Sequence, residues 1–452
     1  MDADERRIVS FTATSHGLVH TYELSIPILL TVWIAEFSTT AATIGLLVTV
    51  GYGLFGAGAL PGGILVDRFG SKPVIIACLL GMAGSFLLAS LAPNLLTLGI
   101  AIAVWGITAS VYHPAGLALL SKAIERRGTA LGYHGIGGNL GIALGPLATV
   151  LLLIPFDWRV VAAILTVPAI VVALYGITVD VETALANARA RESIPDGGNE
   201  VPDGGNEAAD TDADEDGDAG DEPNASDEPD AGGTKGEISL ANVVGDTRTL
   251  MTVGFAFVLV FVTFSGLFYR TFLTFLPDLL SESLAGLVDL QLVDPDSPYA
   301  DEFDPARYLY VAVLMVGVFG QFLGGRIADR IPAERGLIYV MSTLAILAVL
   351  FVPAGATTAT FLVVSLLLGV ALFTIQPLSQ ATVAAYSAPE ARGLSFGYTY
   401  LAIFGVGALG AGLAGTILTV AGSRELFFVL AGIAAVGVAA AVAIVRLGTR
   451  RD

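Results

Sequence analysis

The chain has 452 residues, 54% of them hydrophobic and only 14% charged, with a mean hydropathy of +0.76. Soluble domains carry about 25% charged residues; a core cannot hide this much apolar surface from water, so the surplus faces lipid and a soluble globular protein is excluded. The formal charge of −19 does not point to a basic partner or to nucleic acid: sixteen Asp and Glu, with no Lys or Arg, fall between 192 and 230, and the rest of the chain is near −3.

Twelve apolar runs follow one another. In the first half they are roughly 11–36, 41–66, 73–93, 95–121, 128–154 and 159–179; in the second, roughly 249–276, 307–328, 336–355, 357–387, 393–420 and 425–446. Each can cross ~30 Å of hydrocarbon at ~1.5 Å per residue. Backbone amides cannot stay unpaired in lipid, so these runs are predicted to be helices 1 to 12. The first run is too long for a cleavable signal and contains His16, His20 and Glu23; Arg6 and Arg7 read as anchoring charges. With the N-terminus in the cytoplasm, all 22 Lys and Arg except Arg159, Arg270, Arg307 and Arg424 fall at cytoplasmic ends or loops. That asymmetry predicts a multi-pass protein of the cell membrane with both termini inside.

Three domains are expected: a six-helix bundle over 1–180, an acidic disordered cytoplasmic linker over 181–247, and a second bundle over 248–452. The linker is low in complexity, with Pro-Asp-Gly-Gly-Asn-Glu at 195–200 and again at 202–207. Its acidity, with only three lysines in the whole chain, suits a cytoplasm of very high salt, where self-repulsion is screened. The loop 278–306 is acidic and external, with a short amphipathic helix expected around 279–292. Trp33 and Trp158 read as interfacial belt residues. Cys78, the single cysteine, lies in an apolar run and reads as a small core residue.

The two halves repeat one another. Gly62-Gly63-Ile64-Leu65-Val66-Asp67-Arg68 returns as Gly324-Gly325-Arg326-Ile327-Ala328-Asp329-Arg330. Arg127-Gly128-x-x-x-Gly132-Tyr133 opens helix 5, and Arg392-Gly393-x-x-x-Gly397-Tyr398 opens helix 11. Gly145 and Gly410 each lie 17 residues beyond those first glycines, and His113-Pro114 corresponds to Gln376-Pro377. A duplicated membrane protein with one charged hinge per half is the pattern of an alternating-access transporter.

Twelve helices in a six-plus-six repeat, a long central loop and this hinge after helices 2 and 8 resemble the major facilitator superfamily. The resemblance implies an all-α membrane protein with two pseudo-symmetric six-helix bundles, acting as a monomer. The family's loop reads G-x-L-x-D-R-x-G-R-[KR]; this chain has Ser71 before Lys72 where the family carries arginine. Tyr112-His113-Pro114-x-Gly116, followed by Gly137-Gly138-Asn139-x-Gly141-x-x-Leu144-Gly145-Pro146, is similar to the fosmidomycin-resistance branch, and His16 fits that branch too. A carboxylate at a helix end can accept from the exposed amides of another helix start. The resemblance implies that Asp67, with Arg68 and Lys72, meets the start of helix 11, and that Asp329 and Arg330 do the same at helix 5, latching the cytoplasmic gate. Gly145-Pro146 matches the beginning of the family's antiporter motif, but 147–152 lacks the glycines that should follow.

Glycines at spacing four let helices approach closely. Gly137, Gly141 and Gly145 on helix 5 are expected to pack against Gly320 and Gly324 on helix 8, and Gly58 and Gly62 on helix 2 against Gly407 and Gly410 on helix 11. His16, His20 and Glu23 share one face of helix 1; His20, His113 and His134 lie at mid-membrane depth, and His16 and Glu23 also fall inside a span. Ionisable groups there are costly and usually face a wet pathway, so the five are candidates for a proton relay, the plainer alternative being hydrogen-bonded packing. Arg270 is the one basic residue deep in the second half. It can hold a carboxylate or phosphonate as substrate anchor, or pair with Glu23. Gln376 and Gln380 could add neutral hydrogen bonds; Tyr112, Tyr133, Asn139 and Tyr398 are further candidates for the lining. No phosphate loop, H-E-x-x-H, C-x-x-C or G-x-S-x-G is present, so no cofactor, metal or ATP drive is expected and no enzyme. The reading is a proton-coupled antiporter exporting a small polar or anionic compound. An uptake symporter for an organic anion and a non-transporting receptor stand as alternatives.

Overall fold

The computed structural model describes residues 1–192, 247–284, 304–387 and 392–448. Among the described residues eleven helices are long and apolar enough to cross a membrane; Ala41–Ala57 with Ala59–Val66, bent by 41°, adds a twelfth. Span 1 is α1 (Ala3–Glu36); span 2 is α2 (Ala41–Ala57) with α3 (Ala59–Phe69); span 3 is α4 (Ser71–Ser90). Span 4 is α5 (Leu95–Ser110) with α6 (Tyr112–Ala123), span 5 is α7 (Arg127–Leu152), and span 6 is α8 (Trp158–Thr178). After α9 (Val181–Glu192) come span 7, α10 (Val253–Thr274), and the short α11 (Leu276–Leu284). Spans 8, 9 and 10 are α12 (Pro305–Ala328), α13 (Ala333–Ala354) and α14 (Thr358–Ala385). Span 11 is α15 (Arg392–Tyr400), a π-helical turn (Leu401–Val406) and α16 (Leu409–Val420); span 12 is α17 (Ser423–Gly448). With twelve crossings among the described residues, Ala3 and Gly448 lie on one face, called here the terminal face. Large apolar side chains such as Leu96, Val171 and Phe319 point outward, where only lipid can cover them.

Capping residues start the helices where the apolar pattern begins. Asp2 and Glu5 form a reciprocal box at α1, Thr40 accepts from Thr43 N at α2, and Asp304 precedes Pro305 and accepts from Ala306 N at 2.9 Å. One boundary differs from expectation. The segment after span 6 is helical over Val181–Glu192 rather than irregular from 181, because Asp180 caps it through the Thr183 amide at 3.1 Å and hydroxyl at 2.7 Å, and Val181 and Ala184 are buried. Those two bonds also hold the exposed Asp180 carboxyl below its usual range. The repeated hexapeptides lie outside the described residues, as does 285–292 of the expected external helix; the described part of that helix is Leu276–Leu284.

The glycine stripes do a different job from the one the spacing suggested. Gly137, Gly141 and Gly145 press against Ala13, Gly17 and Thr21 of span 1, and Gly320 and Gly324 against Val370 and Thr374 of span 10. Spans 5 and 8 do touch, but the stripes are spent inside each half. Likewise spans 2 and 11 pack together, yet through Gly45 and Gly56 against Ala411, Gly415 and Gly405; Gly58 and Gly62 face Ser110 and Val111 of span 4. The helix face of each glycine, not its spacing alone, selects the partner. Trp33 and Trp158 are also not belt residues. They are buried, edge to face with centroids 6.1 Å apart, where the far ends of spans 1 and 6 meet.

Between the halves, the seam in the far half of the membrane is closed by hydrogen bonds. Ala42 N donates to Thr419 Oγ1 at 2.9 Å, Thr49 Oγ1 donates to the Ala408 carbonyl at 3.2 Å, and Tyr310 OH donates to the Leu24 carbonyl at 3.3 Å. At mid-depth the π turn of span 11 carries the Gly407 N–H to the Ala402 carbonyl, and Gly56 lies directly against Gly405.

Two predictions follow from packing and charge. Gly141→Leu drives a side chain into the Gly17 backbone and is expected to cost about 1–3 kcal/mol, whereas Gly84→Ala, which meets open space, is expected to leave thermal unfolding in detergent unchanged or slightly raised. Outside the spans, burial and the neighbouring Asp304 raise the Asp278 pKa to about 7 against the opposing pull of Arg307. Its stability contribution is therefore fully present below about pH 4 and lost by the time pH has risen past about 7; Asp278→Asn should flatten that part of the stability profile, and an unchanged slope would refute it.

Candidate functional site

Span 1 presents His16, His20 and Glu23 on one face, and at the centre of the protein that face meets Arg270 of span 7. The Glu23 Oε1 carboxylate oxygen pairs with the Arg270 Nη2 group, and its Oε2 accepts from His20 Nδ1 at 2.7 Å. Glu23 is fully buried and Arg270 only 2% exposed. Each charge loses several kcal/mol of hydration, offset by mutual attraction at close range. Aromatic faces add to this: the guanidinium carbon stands 3.8 Å from the Tyr52 ring centroid, 5.3 Å from Tyr269 and 5.6 Å from Phe404. Tyr52 also donates its hydroxyl to the Glu23 carbonyl at 3.1 Å. Among the described residues, Arg270 Nε is buried with no hydrogen-bond partner. Of the two roles open to Arg270, pairing with Glu23 is the one seen.

Behind the pair runs a chain of imidazoles. His20 Nε2 lies 3.1 Å from His16 Nε2, and His16 Nδ1 donates to the His134 carbonyl at 2.8 Å. His134 stacks on His16 at 4.0 Å, and its Nε2 lies 3.2 Å from Tyr112 OH, which donates to the Thr12 carbonyl. His113 meets His16 edge-on at 5.3 Å and stacks on Tyr400 of span 11, also at 5.3 Å, so the cluster touches the other half. Gly138 makes room for this: a Cβ there would strike the His16 ring. All five proton-relay candidates are thus in one place.

A cavity of about 100 Å³ adjoins the pair. It reaches from Glu23 and Tyr269 toward Gln380 and Phe396 near the terminal face; His20 and Gln376 also line it. Gln376 accepts from Gln321 Nε2 at 2.9 Å. Other candidates lie elsewhere. Tyr112 is buried inside the histidine cluster, Tyr133 is 52% exposed beside spans 1 and 5, and Asn139 is half-buried and not part of the cavity lining. Tyr398 OH lies 2.9 Å from Thr247 Oγ1. Among the gating candidates, Lys72 Nζ donates to the Ile177 and Val179 carbonyls at 3.0 and 2.6 Å, tying span 3 to the end of span 6 in its own half. Arg68 stands over Phe69, Asp329 and Arg330 are exposed at the end of span 8, and the Asp67 side chain lies outside the described residues.

Sequence reasoning missed Tyr52, Tyr269, Tyr400 and Phe404, the rings around the guanidinium and the histidines. Tyr269 stands beside Arg270 and could have been inferred; nothing in the sequence marks Tyr52, which arrives from span 2.

The sequence profile of the Major Facilitator Superfamily matches residues 13–293 and 300–452. The chain belongs to the Major Facilitator Superfamily. It is a membrane transporter and not an enzyme. The fold is similar to that of a bacterial homologue of the human lysosomal transporter Spinster in an inward-facing, occupied conformation, at TM-score 0.70 and 14% identity over 99% of this chain and 98% of that one. It is also similar to the nucleoside transporter NupG, at TM-score 0.67 and 13% identity over 98% and 99% of the two chains. Relatives in sequence include the puromycin resistance protein of Streptomyces alboniger, 37% identical over 23% of this chain and 22% of that protein, and a multidrug resistance protein B homologue of Mycobacterium tuberculosis, 31% identical over 28% and 24%. The matched stretch spans about a quarter of each of these curated relatives.

Removing one member of the Glu23–Arg270 pair strands a buried charge. Glu23→Gln or Arg270→Met alone is expected to destabilise the protein by about 3–5 kcal/mol, and the double variant to recover much of that. Thermal unfolding of the four proteins reads the coupling; strictly additive losses would show that the two charges act independently.

Proposed function

We propose that this transporter is proton-coupled and exports a small polar compound by antiport. The observation that supports it is the continuous chain Arg270–Glu23–His20–His16, which reaches the cavity wall at Glu23 and His20 and joins the two halves. Protons occupy the acceptors of Glu23 and His20, with His16, His113 and His134 as a relay behind them. A cargo that donates hydrogen bonds to those same acceptors competes with the proton, and such competition makes the exchange obligatory. The resistance proteins among the relatives support export.

Arg270 favours a second reading for an anionic cargo. A carboxylate or phosphonate that takes the guanidinium leaves Glu23 unpaired in an apolar setting, where it must take a proton. Anion and proton then move together, which is symport. The likeness of helices 1 to 5 to the fosmidomycin-resistance branch makes a phosphonate the first anionic probe.

In this reading the protein works as a monomer in the cell membrane, with both termini and the acidic linker in the cytoplasm, and the linker suited to high salt. The cavity then lies on the cytoplasmic side, and the latches through Asp67 and Asp329, with Arg68 and Arg330, form only in the opposite state. Lys72 braces span 3 instead. Everted and right-side-out vesicles with an imposed pH gradient separate the cases. Probe accumulation in everted vesicles, inside acidic, supports export; accumulation in right-side-out vesicles, outside acidic, supports uptake. Glu23→Gln should uncouple flux from the gradient in either case, and wild-type flux indifferent to the gradient would end the proton-coupled reading.

A further inference from the structure

The geometry points to a binding site for a borderline divalent metal ion, of the Zn²⁺ or Co²⁺ kind, formed by His16, His20 and His113. The argument begins with two hydrogen bonds. A carbonyl oxygen can only accept, so the bond from His16 to the His134 carbonyl at 2.8 Å places a hydrogen on His16 Nδ1 and, in the neutral ring that binds metal, leaves its Nε2 with a free lone pair. The Glu23 carboxylate, held by Arg270, likewise accepts from His20 Nδ1 at 2.7 Å, so His20 Nε2 is also left with a lone pair. These two nitrogens face each other at 3.1 Å. Two lone pairs at that separation repel unless something positive lies between them.

A bridging proton would satisfy two nitrogens, but three converge. One ligand atom each from His16, His20 and His113 lies within 4.8 Å of the others. Zinc–nitrogen bonds of ~2.0–2.1 Å place tetrahedral ligands roughly 3.3 Å apart. The His16–His20 spacing is already close to that edge, and His113 needs to swing in by no more than about 1.5 Å. The outer nitrogens of His16 and His20 donate to a backbone carbonyl and a carboxylate, the arrangement that orients imidazoles and raises their basicity in metal sites. Imidazole nitrogens suit Zn²⁺, Co²⁺, Ni²⁺ and Cu²⁺ rather than Mg²⁺ or Ca²⁺. His20 lines the cavity, which gives the ion an entry route and leaves the fourth position to water or an anion. Because Arg270 already balances Glu23, the ion's own charge is unbalanced, which favours an anion there.

The test uses purified full-length protein, freed of any polyhistidine tag, treated with chelator and titrated with Co²⁺, then with Zn²⁺. One Co²⁺ per chain with the visible absorption of a tetrahedral ion, displaced by Zn²⁺ and not by Mg²⁺, is the expected result. His16→Ala and His113→Ala should abolish it, and Glu23→Gln should weaken it about 10–100-fold, with each variant's folding checked by thermal unfolding. Should the histidine variants not fold, X-ray absorption of the wild-type Zn²⁺ form must show at least three nitrogen ligands at ~2.0–2.1 Å. No stoichiometric binding, a signal surviving in the His16→Ala/His113→Ala double variant, or fewer nitrogens in that spectrum overturns the site. The inference uses the same imidazoles as the transport reading, but the two fail separately: flux in chelator-treated vesicles without metal binding sinks only the metal site, and metal binding without gradient-driven flux sinks only the coupling.

Discussion

The ion pair between Glu23 and Arg270 is the constraint around which the centre of this protein is arranged. Neither charge reaches water, and each comes from a different half. A buried charge cannot be left alone, so separating the halves at this point demands a replacement for each partner. That requirement makes the contact two-valued: either the pair is closed, or each member has found another partner. The rings of Tyr52, Tyr269 and Phe404 lower the cost of holding the guanidinium in an apolar setting, and Tyr52 fixes the span 1 backbone beside the carboxylate.

The packing around the pair separates what is rigid from what is a seam. Glycine stripes join span 1 to span 5 and span 8 to span 10 with backbones nearly in contact, so each half is a tightly closed body. The seam between the halves also relies on small residues, with Gly56 against Gly405 and Gly415 against Ala41. It consists of spans 2 and 11, the contact of span 5 with span 8, and a few hydrogen bonds in the far half, one from an amide to a hydroxyl and two from hydroxyls to carbonyls. A π turn in span 11 sits where this seam passes the cavity, and it brings Phe404 to the guanidinium and Tyr400 to His113. Rigid bodies meeting along a seam of small side chains suit a rocking motion far better than internal deformation does.

The repeat shares its backbone landmarks but not its chemistry. His113-Pro114 and Gln376-Pro377 occupy corresponding places; the first contributes an imidazole to the histidine cluster, the second an amide to the cavity wall. All four histidines and the buried carboxylate stand in the first half, while the second supplies one guanidinium and neutral amides. The asymmetry gives the halves complementary charge where Glu23 meets Arg270 in the core.

Much of the architecture was determined by the sequence alone, because the physics is local. Apolar runs long enough for the bilayer have no other way to pair their amides, and a duplicated glycine–aspartate hinge reports a duplicated body. The histidines and Glu23 were legible as a group, since spacings of four and three place His16, His20 and Glu23 on one helical face, and charges at that depth need partners. Which partners they take is a property of the tertiary structure. The azimuth at which helices dock decided that Gly141 meets Gly17 and not span 8, that Lys72 braces span 6, that Tyr133 faces outward, and that Trp33 and Trp158 are buried. It also brought Tyr52 from span 2 under Arg270 and His113 from span 4 beside His16, because contact between residues a hundred positions apart depends on how whole helices rotate and pack, which no local pattern encodes.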